Sequence, residues 1–164
     1  MERDLTCCVT GHRPQGLPWG FDEDDDRCDA LRRHLRQTVK ELYGRGFRRF
    51  ICGMALGVDM MFAEAVFGEL PPEAAMEAAI PCPSQPSAWP ALQRERYRSI
   101  LERCAQTHML SPSYTPMCMQ LRNEWMVAQS GVVVAVWNGS PHGGTYRTLE
   151  YARRLEREII LIRV

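Results

Sequence analysis

The run GVVVAVW at residues 131–137 is the feature that most narrows the folds open to this chain. It is short and apolar on both faces, as a central strand of a parallel sheet covered on both sides should be. Other short β-rich runs alternate with longer helical patterns, which is the signature of a parallel α/β sheet. Strands are expected over residues 5–10, 48–52, 75–80, 107–110, 131–137 and 158–162. The segment 75–80 would suit a helix equally well by its alanines, and Pro81-Cys82-Pro83 decides for a strand by ending it abruptly. Helical patterns fill the gaps: Leu31, Leu35, Val39 and Leu42; residues 57–70, stopped by Pro71-Pro72; a stretch with Arg94, Arg96 and Arg98; residues 117–129; and a last helix reaching about Arg157. The expected fold is a Rossmann-like three-layer α/β sandwich with a mostly parallel central sheet. With 164 residues, one domain over 1–164 is the natural division.

Lys plus Arg and Asp plus Glu number 20 each, so the formal net charge is zero. A general nucleic-acid binder usually carries a basic excess, so nucleic acid is an unlikely partner on this ground. No apolar run approaches the ~20 residues that span a bilayer, and the N-terminus lacks the pattern of a secretory signal. Seven cysteines, none spaced Cys-x-x-Cys and two adjacent at Cys7-Cys8, imply neither a disulfide framework nor a zinc site. These features together lead to a reduced, cytoplasmic protein. The acidic run at 22–26 precedes a helical pattern and reads as favourable charge at a helix N-terminus rather than a metal site.

Ligands in open α/β sheets bind beyond the carboxyl ends of the strands. Three such ends carry glycine with small polar residues: Thr10-Gly11-His12-Arg13, the segment from Gly53 through Gly57 to Asp59, and Asn138-Gly139-Ser140-Pro141-His142-Gly143-Gly144-Thr145. Glycine lets a backbone approach a phosphate closely, and a helix N-terminus offers unpaired N–H groups with a favourable dipole. Tight turn geometry explains any single loop as well, and the three together favour a ligand. Neither the Walker sequence nor the G-x-G-x-x-G spacing is present. His12 and Arg13 suit a phosphate or ribose contact, with turn capping as the plainer role. Asp59 suits a ribose hydroxyl or simply a first-turn acid facing the helix dipole.

The motifs Thr10-Gly11-His12-Arg13-Pro14, Gly53-Met54-Ala55-Leu56-Gly57-Val58-Asp59, Ile80-Pro81, Arg122-Asn123-x-x-Met126-Val127 and Trp137-Asn138-Gly139 with Gly143-Gly144-Thr145 resemble the YpsA-like branch of the SLOG superfamily. The resemblance spans nearly the whole chain. It implies a Rossmann-like fold shared with the Lonely Guy phosphoribohydrolases and the DNA-processing protein DprA. It also implies a nucleotide-derived ligand of the ADP-ribose or NAD kind for this branch.

The enzyme branch cleaves the N-glycosidic bond of a nucleoside monophosphate with an arginine and a glutamate. Arg122 and Glu150 fall at the matching offsets. A carboxylate could stabilise the oxocarbenium-like sugar or activate water, while a guanidinium holds a phosphate. Tyr146-Arg147 stands where the enzymes have Gly-Thr, and two larger side chains there would occlude or re-aim a pocket. Glu150 has a plainer role in a helix-surface pair with Arg153 or Arg154.

The leading expectation is a sensor or regulatory protein binding a nucleotide-derived, phosphate-bearing small molecule: ADP-ribose, NAD or a nucleoside monophosphate. No further cofactor is called for. The alternative is a nucleotide N-glycosidase using Arg122 and Glu150, and the sequence leaves catalysis open. The helix with Met117, Met119, Trp125 and Met126 offers apolar surface for a homodimer.

Overall fold

The structure is a computed structural model that describes residues 2–164. Its strands are β1 (Thr6–Gly11), β2 (Arg49–Cys52), β3 (Ala75–Ile80), β4 (Gln106–Met109), β5 (Val132–Trp137) and β6 (Glu158–Arg163). All neighbouring pairs are parallel, in the order β4-β3-β2-β1-β5-β6. The helices are α1 (Asp26–Gly44), α2 (Val58–Glu69), α3 (Ala91–Arg103), α4 (Cys118–Gln129) and α5 (Gly144–Arg154). The expected Rossmann-like α/β architecture is therefore present, and its sheet is entirely parallel.

Alternation along the strands divides the core in two. Val132, Val134 and Val136 of β5 face α1, α2 and α3, where Phe50, Leu35, Val39 and Phe62 pack beside them. Val133 faces α4 and α5 and meets Met126, Val127 and Ala152. Each face buries one side of β5, which is why its sequence shows no polar alternation. Leu35 is fully buried in the larger layer, and truncating such a leucine to alanine costs about 2–5 kcal/mol.

The acidic run acts as its charge suggested. Asp25 caps α1 by accepting the Arg27 N–H at 2.8 Å, and Asp26 and Asp29 lie in the first turn. Most boundaries move by a residue or two. The last helix stops three residues earlier than expected, at Arg154, because Glu156 takes a φ of +55° that helical backbone does not allow.

β1 and β5 lie side by side inside the sheet, in register from Cys7 opposite Val132 to Gly11 opposite Val136. The chain leaves β1 toward β2 on one side, whereas β5 leads to β6 on the other. Connections diverging from adjacent strands open a crevice at their carboxyl ends, the place where such sheets take ligands.

Candidate functional site

A cavity of about 540 Å³ occupies that crevice. Its walls come from the end of β1 and the loop after it (Thr10, Gly11, His12, Arg13), from α4, and from the first turn of α5 (Gly144, Thr145, Arg147). Its size lies within the range of small-molecule sites. On α4, Met119, Gln120, Arg122, Asn123 and Met126 all line it. Spacings of three and four residues put them on one helix face, and that periodicity was the signal by which Gln120 could have been found beside the motif residues Arg122, Asn123 and Met126.

Arg122 and Asp59 are the buried charges of this cavity, 4% and 6% exposed. The Arg122 Nη1 donates to the Gly53 carbonyl and to the Ala79 carbonyl, the latter at 3.4 Å. Its Nε donates to Asn123 Oδ1 at 2.8 Å. Thus one side chain from α4 joins the carboxyl ends of β2 and β3. A Cβ at Gly53 would stand 2.6 Å from the guanidinium carbon, so this glycine is required for the arginine's seat. The Arg122 Nη2 meets only the Met119 sulfur, at 3.9 Å, among the described residues, which leaves it donor capacity toward the cavity.

Asp59, the second residue of α2, accepts the Ala55 N–H on Oδ2 at 3.1 Å. Burial pushes its carboxyl above the ordinary value, while Arg122 and the backbone donors pull it back. Burial likewise pulls Arg122 below its ordinary value, against the attraction of Asp59. Both side chains are thus held where their charged forms are penalised.

His12 is a latch between the two central loops. Its Nε2 accepts the Asn138 N–H at 2.9 Å, and Nδ1 lies 3.5 Å from Thr145 Oγ1. Accepting through Nε2 puts the neutral ring's proton on Nδ1, facing Thr145. Burial holds the imidazole below its ordinary value of 6.5, in keeping with the neutral form. Asn138 completes the latch by donating from Nδ2 to the Gly16 carbonyl at 3.1 Å and accepting the Ser140 N–H at 2.9 Å.

Of the residues singled out in the sequence, Gly11, His12, Arg13, Asp59, Arg122, Gly144 and Thr145 line the cavity. Gly53, Gly57, Asn138, Gly139 and Gly143 are not among its lining residues. Gly57 and Gly143 precede α2 and α5 with φ of +92° and +94°, where a side chain would be strained.

Glu150 is not brought to Arg122. It lies outside the cavity lining, and its carboxylate pairs with Arg153 on the surface of α5. Tyr146 does not block the cavity either: its ring stacks on Trp137, centroids 6.0 Å apart and planes 28° apart. Arg147, which the sequence presented as an obstruction, instead adds an exposed cation to the wall.

The model of the YspA SLOG family matches residues 7–163, bearing out the resemblance drawn from the motifs. A UPF0398 protein of Halalkalibacterium halodurans is 24% identical over 154 residues, covering 92% of this chain and 81% of the relative. A UPF0398 protein of Bacillus thuringiensis is 24% identical over 151 residues, with 89% and 81% covered. Among solved structures, DNA processing protein A from Helicobacter pylori superposes with a TM-score of 0.64 at 15% identity, over 98% of this chain and 66% of that one.

The Helicobacter pylori structure concerns a single-stranded DNA binding mode, and it corrects the expectation that nucleic acid is an unlikely partner. That expectation rested on a net charge of zero. Net charge averages over the whole surface and says nothing of one basic wall, such as that formed by Arg13 and Arg147. Among the described residues no helix is long and apolar enough to cross a membrane.

Proposed function

Because the chain belongs to the YspA SLOG family, we propose that it binds a nucleotide-derived, phosphate-bearing small molecule in the cavity between β1 and β5, as a sensor or regulatory protein. The observation that carries this reading is Gly144. It lines the cavity at the first position of α5, its φ lies outside the left-handed region, and a Cβ there would meet nothing within 4 Å. Neither packing nor backbone geometry calls for glycine, whereas close approach of an anion to the helix N-terminus does. Arg13 and Arg147 add positive charge at the wall, and Arg122 Nη2 adds a donor at the floor. Seven free thiols, six of them buried, support a cytoplasmic setting.

The test is a thermal-shift series with AMP, ADP-ribose, NAD and inorganic phosphate, with product analysis of each mixture. A ligand at 100-fold its Kd stabilises the folded state by about 2.7 kcal/mol. A shift without products supports a binding protein; release of free base makes it an N-glycosidase. No shift with any of them overturns the reading.

A second reading places a nucleotide of single-stranded DNA in the same cavity. The fold shared with the Helicobacter pylori protein favours it, as do the exposed cations Arg13 and Arg147 on the cavity wall. Cations lining a groove suit the phosphates of a single strand. Salt-sensitive binding of a labelled oligonucleotide, competed by AMP, would support it.

A further inference from the structure

The cavity walls are unevenly charged. Arg13, Arg122 and Arg147 line it as cations, and Asp59 is the one acidic side chain among the described lining residues. A phosphate bound at α5 would be repelled by Asp59 and attracted by everything else charged, so the acid has another task. Its carboxylate has accepting capacity left after the backbone N–H groups of Ala55, at 3.1 Å from Oδ2, and of Gly53. Arg122 directs its nearer donors to Gly53, Ala79 and Asn123, and no direct ion pair with Asp59 forms. An acid kept buried at a cavity floor without a cationic partner in contact is costly to the fold. That cost is offset when a ligand supplies hydroxyl donors.

We propose that Asp59 accepts the sugar hydroxyls of the ligand, so that the cavity selects ribose over 2-deoxyribose. This rests on the nucleotide-binding reading given above and narrows it to ribonucleotides. The raised pKa of Asp59 fits the same picture, since the carboxyl is desolvated before any ligand arrives. The hydroxyl-bearing sugar would then lie over the start of α2 and its phosphate at the start of α5. Each is a first helical turn opening on the same cavity.

Calorimetric titration with AMP, IMP and 2′-deoxy-AMP tests the assignment on the wild-type chain and on Asp59→Asn. A hydrogen bond to a charged acceptor predicts AMP and IMP binding about tenfold tighter than 2′-deoxy-AMP. Asp59→Asn should remove that preference, weakening AMP while leaving 2′-deoxy-AMP within about twofold of wild type.

Equal affinity of the wild-type chain for AMP and 2′-deoxy-AMP overturns the proposal and leaves the nucleotide-binding reading standing. A preference for AMP over IMP with no preference for ribose reassigns Asp59 to a base amine and also overturns it. If none of the three binds, the proposal falls, and if ADP-ribose and NAD give no thermal shift either, the nucleotide-binding reading falls with it. If Asp59→Asn does not fold, the wild-type contrast between AMP and 2′-deoxy-AMP still decides.

Discussion

Two buried acids, Glu77 on β3 beneath α4 and Asp59 in the first turn of α2, are built in opposite ways. At the β2–β3–β4 end, Glu77 accepts from Arg49 Nε at 2.8 Å and Nη2 at 3.0 Å, and pairs with His108 Nε2 at 2.7 Å. Trp125 covers His108, with ring centroids 4.7 Å apart. Burial alone would raise the Glu77 carboxyl, but the hydrogen bonds from Arg49 and His108 outweigh it and hold the group below its ordinary range. At the β1–β5 end, Asp59 has backbone donors at Ala55 and Gly53 and a cation, Arg122, that is near without pairing with it, and its carboxyl moves up instead. Burial of an acid therefore does not distinguish scaffold from site. What distinguishes them is whether the surrounding protein already supplies the donors.

The strongest way to break the contrast is Glu77→Gln. It leaves Arg49 with an uncompensated charge in a mostly buried setting and should cost about 3 kcal/mol in chemical denaturation, near the lower end for a broken buried pair. Ligand binding at the other end should be unchanged, and a loss of binding at full folding would show that the two ends are coupled. The same variant sharpens the comparison through pH. The folded pKa of Glu77 lies below the ordinary 4.5, so its contribution is present above that value and disappears as pH falls through the folded pKa. The folded pKa of Asp59 lies above its ordinary 3.8, so stability from that group is fullest below 3.8 and declines as pH rises through the folded pKa. Glu77→Gln should therefore flatten the acid limb of the stability curve, while Asp59→Asn should steepen it.

A smaller effect is expected at the latch. His12→Phe removes the acceptor of the Asn138 N–H and should destabilise by about 1–2 kcal/mol at neutral pH. With its folded pKa below 6.5, His12 makes the wild-type fold lose stability as pH falls from that value toward the folded pKa, because the unfolded chain takes up the proton first. The variant should lack this slope, and retention of it would assign the titration elsewhere. The smallest change is Gly144→Ala, which should stabilise the chain by up to about 1 kcal/mol through helix propensity. Weaker nucleotide binding should accompany the gain. A more stable variant that binds as well as wild type would remove the argument for close anion approach at this residue.

How much of this was legible in the sequence depends on the kind of signal. The central strand β5 announced itself because burial on both faces leaves a continuous apolar run, and Pro81 resolved the ambiguity of β3. Arg122 could be singled out by motif, but its attachment to the Gly53 and Ala79 carbonyls could not, since backbone partners leave no mark in a sequence. Glu150 had the right offset on the chain and the wrong direction in space, because an offset along a helix does not say which neighbour a side chain meets. Tyr146 turned away from the cavity only because Trp137 offers it a ring to stack on, across a turn whose path the sequence does not specify. Glu77 carried a visible signal that went unused: one charge inside an apolar strand, in AMEAAI, asks for buried partners.

The parallel order of the sheet has a consequence for when the site comes into being. His12 and Asn138, which touch at the cavity, are 126 residues apart along the chain. A nascent chain that has emerged only as far as residue 130 holds the first loop, Asp59 and Arg122, but neither β5 nor the start of α5. Contacts this distant in sequence form late and slowly. Nucleotide capture by this cavity would thus report that β5 and α5 have been made and have docked, a readout of folding built into the adjacency of β1 and β5.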